Sequence, residues 1–144
     1  MPRPNRLLMG FALLAGFAAC GCRSSVDGAY GLDLEETKRV LEQSPAASPE
    51  EAARKTETLA LLADTELRVE LEKSGQLTST TELKVAGTPR TTSKKRGTWA
   101  SEGKRVTLKV EDTPETPCEV DGPRLRCTTA ASNKFLQRYV LVKR

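Results

Sequence analysis

A change of hydrophobic period near residue 65 limits the fold more than any other feature of this chain. Leu67, Val69 and Leu71 alternate with Arg68, Glu70 and Glu72, and similar alternation returns in later segments. A period of two turns one side of an extended segment to a core and the other to water. Ser74-Gly75 interrupts the pattern before Leu77, Ser79, Thr81, Leu83 and Val85 resume it in a threonine-rich run, so the two runs predict a hairpin. A polar loop is expected through Gly87-Thr88-Pro89. Beyond it, residues 95–100 and 104–111 predict a second pair around Glu102-Gly103, with Trp99, Val106, Leu108 and Val110 alternating. Pro114 and Pro117 bound a further loop, 118–128 reads as a third hairpin, and Phe135 to Val142 reads as a closing strand buried on both faces. That gives about seven strands in hairpin order.

Ahead of the strands the pattern is helical. Leu32, Leu34, Val40 and Leu41 are separated by Glu35, Glu36, Lys38 and Arg39, which predicts a helix over about 33–43 that Ser44-Pro45 should end. Ser48-Pro49-Glu50-Glu51 then supplies a capping hydroxyl, a proline at the first helical position and a glutamate three residues after the cap, predicting a helix over 49–63. The fold class is therefore mainly β with amino-terminal helices (α+β), an antiparallel up-and-down meander curling into a curved sheet or small barrel.

Four cysteines divide into two pairs. Folding Cys118-Glu-Val-Asp-Gly-Pro-Arg-Leu-Arg-Cys127 about Gly122-Pro123 sets Asp121 opposite Arg124, Val120 opposite Leu125 and Cys118 opposite Cys127. The cysteines then fall on a non-hydrogen-bonded pair with Cα atoms roughly 4.5 Å apart, a span a disulfide bridges. A redox-active pair would call for closer spacing or a cation lowering a thiol pKa, and only Arg126 is adjacent. The other pair, Cys20 and Cys22, follows Arg3, Arg6 and an uncharged run from Leu7 to Ala19. Those are the charged and apolar regions of an export signal, residues 1–19. The run reaches about 20 Å as a helix, short of the roughly 30 Å hydrocarbon slab.

Gly16-Phe17-Ala18-Ala19-Cys20 resembles a bacterial lipoprotein signal, in which an apolar residue and two small ones precede the modified cysteine. The resemblance implies lipidation of Cys20, with Cys22 as the alternative because it too follows a small residue and would leave an even thiol pair. Two or more acyl chains give durable membrane attachment. Residues 20–29 then read as a tether and 30–144 as the domain.

The absence of histidine removes the usual proton shuttle and most zinc and haem ligand sets. With aromatics at 4%, Trp99, Tyr30, Phe135 and Tyr139 are the bulky candidates to fill a core or line a ligand site. Charge is split: residues 20–72 hold 6 basic and 12 acidic side chains, and 73–144 hold 15 and 7. An internal, self-complementary dipole accounts for that division. Lys94-Lys95-Arg96, with Arg90 nearby, is the one conspicuous run. It suits either contact with an anionic surface or partner or protection of an edge strand. Basic residues without interleaved aromatics do not make a nucleic-acid stripe.

Val26-Asp27-Gly28-Ala29-Tyr30, an acidic helical stretch, a meander containing Gly97-Thr98-Trp99, a Gly103-x-x-Val106-x-Leu108 hairpin and a closing strand together resemble the small bacterial lipocalin-like lipoproteins. The resemblance implies a curved or nearly closed β-meander with helices at one end or across a face, and no catalytic residues. The expected function is that of a non-catalytic, membrane-anchored envelope lipoprotein binding a small apolar molecule or lipid, without cofactor or metal. The alternative is a structural or protein-interaction lipoprotein with a filled core and an envelope protein as partner. Gly21 after Cys20 points, by resemblance to the enterobacterial sorting rule, to the periplasmic face of the outer membrane.

Overall fold

Local chemistry starts each helix. Asp33 accepts a hydrogen bond from the Glu36 amide at 3.1 Å and opens α1, Leu34–Glu42. Ser48 accepts from the Glu51 amide at 3.2 Å and opens α2, Pro49–Ala63, with Pro49 where no amide donor is needed. The Glu51 carboxylate reaches back to the Ala47 amide at 2.6 Å, one residue before the cap itself. The computed structural model describes residues 25–144; the expected export signal, residues 1–19, and Cys20 and Cys22 lie outside them.

The strands are β1 Gly28–Leu32, β2 Thr65–Leu71, β3 Gln76–Val85, β4 Thr88–Glu102, β5 Arg105–Val110, β6 Thr116–Asp121, β7 Arg124–Thr128 and β8 Arg138–Lys143. They pair antiparallel in chain order, and β8 returns to β1 through Tyr30↔Lys143, Gly31↔Val142 and Leu32↔Leu141. The result is a closed, lipocalin-like small barrel. Gly28, the β2–β3, β4–β5 and β6–β7 turns and Lys143 gather at one end of it. Both helices and the other connections lie at the opposite end.

Three sequence expectations are corrected. There are eight strands where the sequence indicates about seven, because β1 takes in Gly28 and Ala29 of the expected tether. Gly-Ala-Tyr-Gly-Leu has no alternation of apolar and charged residues; it is extended because β2 and β8 pair with it on both sides. The expected loop after Val85 shrinks to Ala86-Gly87, both at positive φ (51° and 75°), as a two-residue type I′ turn demands. Thr88 therefore already pairs with Val85, and β4 runs for 15 residues, taking in Arg90 and Lys94-Lys95-Arg96. Lastly, Phe135 lies in a short 3₁₀ turn, Lys134–Leu136, that Asn133 caps through the Phe135 amide, and the final strand starts at Arg138.

The barrel interior holds Tyr30, Val69, Leu71, Leu77, Val106, Leu108, Cys118, Leu125, Cys127 and Leu141, each 5% exposed or less. A second cluster of Leu32, Leu41, Leu62 and Phe135 caps the helical end. The outward positions of β2 and β3 are polar, including Glu66, Arg68, Glu70, Thr78, Thr80 and Glu82. Such a wall is the reverse of a membrane-spanning barrel, whose lipid-facing band is apolar.

Candidate functional site

The four aromatic candidates do not converge on a cleft. Tyr30 is buried and its hydroxyl donates to the Val26 carbonyl at 2.6 Å, which draws the segment before β1 against the barrel floor. Trp99, half-buried against the same core, donates its Nε1–H to the Glu72 carbonyl at 2.8 Å and so locks the β2–β3 turn. Tyr139 bridges the interior and the helical end, and burial raises its phenol pKa despite an opposing hydrogen bond with Thr116. Phe135 sits among leucines of the second cluster.

Cys118 and Cys127 form the disulfide, with Cα atoms 4.0 Å apart, in the register Cys118↔Cys127, Val120↔Leu125, Asp121↔Arg124 around Gly122-Pro123. Both sulfurs belong to the barrel core rather than to its surface. That inward position shields the bond from exchange with solvent thiols.

An ion network escaped the sequence reading because its members are about 90 residues apart. Asp33 receives Arg124 Nε at 2.8 Å, and Glu36 receives Arg126 Nη2 at 2.9 Å and Arg39 Nη2 at 2.6 Å. Burial would raise the Asp33 carboxyl pKa, but the Arg124 hydrogen bond, the Glu36 amide and the charges of Arg124 and Arg144 outweigh it and hold it below the ordinary range. Hydrogen bonds from Arg126 and then Arg39 lower Glu36 similarly. With Glu51–Lys134 at 2.6 Å, these pairs join the acidic first part of the chain to the basic second part. The only advance signal was the split in charge itself.

Next to this network, buried Thr37 accepts from the Val140 amide at 3.0 Å and donates to its carbonyl at 3.4 Å, and the Asp33 amide donates to the same carbonyl at 2.8 Å. The first turn of α1 thereby covers the part of β8 that extends past the end of β1. β4 is treated differently. Its pairing with β5 starts at Gly97, preceded by a Glu111 amide bond to the Arg96 carbonyl at 2.9 Å, so Thr88–Lys95, interrupted by a register shift that leaves Arg90 unmatched, have β3 as their one strand neighbour among the described residues. Arg90, Lys94, Lys95 and Arg96 are all exposed there.

A groove of about 590 Å³ follows the outside of β1 and β2, floored by Ala29 and Gly31 and walled by Glu66, Arg68 and Arg144. Arg68 and then Lys84 hydrogen bonds depress the Glu66 pKa there. The groove is open to solvent, and Tyr30, Leu32 and Leu67 of the core clusters also contribute to its lining. No group of three or more Cys, Asp or Glu side chains among the described residues gathers as metal ligands would. Set against protein-family models, curated proteins and solved structures, the chain matches none of them.

Proposed function

We propose that the chain is a lipid-anchored envelope lipoprotein that works as a structural or protein-interaction module through its outer surface. One observation carries the choice over a carrier of small apolar molecules: the barrel interior is packed with leucine, valine, tyrosine and the disulfide, each 5% exposed or less. An eight-stranded barrel has just enough room for its own side chains or for one small ligand, and here the side chains take it. The lipid anchor rests on the resemblance of residues 16–20 to a lipoprotein signal, and the buried disulfide suits an oxidising compartment.

The placement of the amino end adds to this reading. Lys143 Nζ donates to the Ser25 carbonyl at 2.7 Å, and Tyr30 holds the Val26 carbonyl, so the chain enters at the end opposite the helices. An anchor at Cys20 or Cys22 turns that plain end to the bilayer and the helical end, with the β3–β4 turn, away from it. The test is a mass spectrum of protein expressed with its own signal and extracted in detergent. Acyl mass on Cys20, or on Cys22, is expected, together with an oxidised Cys118–Cys127 pair and no retained small molecule. Unacylated protein would refute the anchor, and a stoichiometric apolar ligand would refute the surface role.

A further inference from the structure

We propose that the free edge of β4, residues Thr88–Lys95, accepts an acidic extended segment of another envelope protein as an added antiparallel strand. Among the described residues the backbone there is open on one side. Arg96 turns its carbonyl toward Glu111, away from β3, and Trp99 turns its amide to Gly75 at 2.9 Å on the β3 side. Strand backbones alternate in the direction of their polar groups, so Lys94 and Thr92 present N–H and C=O to the unpartnered side, as Arg96 does to β5. Where β8 outruns its neighbour, the first turn of α1 meets its backbone groups; on β4 they are left for a partner.

Charge selects the occupant. Lys94, Lys95 and Arg96 lie opposite Thr80, Ser79 and Thr78 on β3, so their cross-strand neighbours are hydroxyls rather than carboxylates. None of these three, nor Arg90, enters an ion pair among the described residues. A second copy pairing edge to edge would set lysines against lysines, which is how edge lysines prevent self-association. A strand of opposite sign gains ladder hydrogen bonds and cross-strand ion pairs together. The same end of the molecule carries the two exposed large hydrophobics among the described residues, Leu61 at 46% and Val85 at 49%. They are linked through the Lys84 amide, which donates to the Asp64 carbonyl at 2.8 Å beside both. This orientation away from the bilayer rests on the anchoring proposed above; the edge and its charge do not.

The test is hydrogen exchange on the full chain in detergent, followed across residues 88–96, with a ten-residue peptide alternating Glu with Val or Thr as the probe. A matched Lys-containing peptide is one further arm, and the full chain carried on detergent-free vesicles of phosphatidylglycerol and phosphatidylcholine is the other. Saturating acidic peptide is expected to slow exchange at Thr92 and Lys94 by about tenfold or more, as a new ladder does, while the Lys peptide does nothing. A K94E/K95E variant should lose binding by at least about tenfold. Thr92→Pro, which deletes one edge-facing donor where proline is tolerated, should weaken binding while circular dichroism shows the barrel intact. Acidic peptide binding without protection at 92 and 94, equal binding by both variants, protection by vesicles alone, or no binding would each overturn the proposal. Because the peptide arms need no acyl chain, a missing lipid would undo the anchor without touching this result.

Discussion

Replacing Gly97 with alanine probes a close backbone approach between β4 and β5. A Cβ on Gly97 would stand 2.0 Å from the Lys109 carbonyl oxygen and 2.9 Å from Val110 Cα. Those are backbone atoms of β5, which no rotamer change moves aside. Carbon contacts are most favourable at about 3.5–4.0 Å, so β4 and β5 would have to part by more than about 1 Å where they meet. That separation threatens the β4–β5 hydrogen bonds that flank the non-hydrogen-bonded Gly97↔Val110 pair, at Thr98↔Lys109 and at Glu111–Arg96, the latter 2.9 Å. Two such bonds at about 1 kcal/mol each, with about 1–3 kcal/mol of overpacking strain, give an expected loss of about 3–5 kcal/mol. Gly103→Ala is the control: its Cβ meets nothing within 4 Å, and only the left-handed φ of 61° resists it, at about 1–2 kcal/mol. Urea unfolding followed by the fluorescence of Trp99, the single tryptophan, measures both. A Gly97→Ala loss within about 1 kcal/mol of the Gly103→Ala loss would refute the close-approach argument.

Leu141→Ala, at a site with 0% exposure, should cost about 2–5 kcal/mol in the same assay; a smaller loss would show that the interior has room to spare. Replacing Cys118 and Cys127 together by alanine should cost about 2–3 kcal/mol from the short loop they close, read as a lower unfolding midpoint, and an unchanged midpoint would contradict a structural bond. Acid should weaken the domain through Asp33 and Glu36. Their folded pKa values are depressed, so their contribution is complete above the ordinary carboxylate range of about 4 and is lost as pH falls through the lower folded values. Asp33→Asn keeps a capping oxygen but removes the pair with half-exposed Arg124, so it should reduce stability at neutral pH by about 1 kcal/mol and flatten the acid limb below the ordinary carboxylate range. An unchanged acid limb would mean the pair does not hold α1 to β7.

Locally encoded features were legible in the chain. Ser48-Pro49-Glu50-Glu51 specified the start of α2, and 49–63 is its observed span. The cysteine hairpin was legible residue by residue, because a two-residue turn fixes the register of everything outside it. β4 was the harder case. Its outer half has neither apolar alternation nor a usual turn signal, and Ala86 at positive φ disguised the I′ turn that makes it a strand. The aromatic candidates were found by bulk alone, which could not say whether they line a cavity or fill one.

Short-range chemistry in the sequence settled where helices start, which segments alternate and which cysteines pair, since each depends on residues within one turn of helix or one hairpin. Tertiary structure alone decided that Gly28–Leu32 is a strand, because that segment is extended only between β2 and β8. It also decided that Asp33 and Glu36 meet arginines about 90 residues away, and that half of β4 outruns β5 and leaves its backbone open. Those outcomes depend on how a twisted sheet closes on itself, and closure is a property of all the strands together rather than of any one of them.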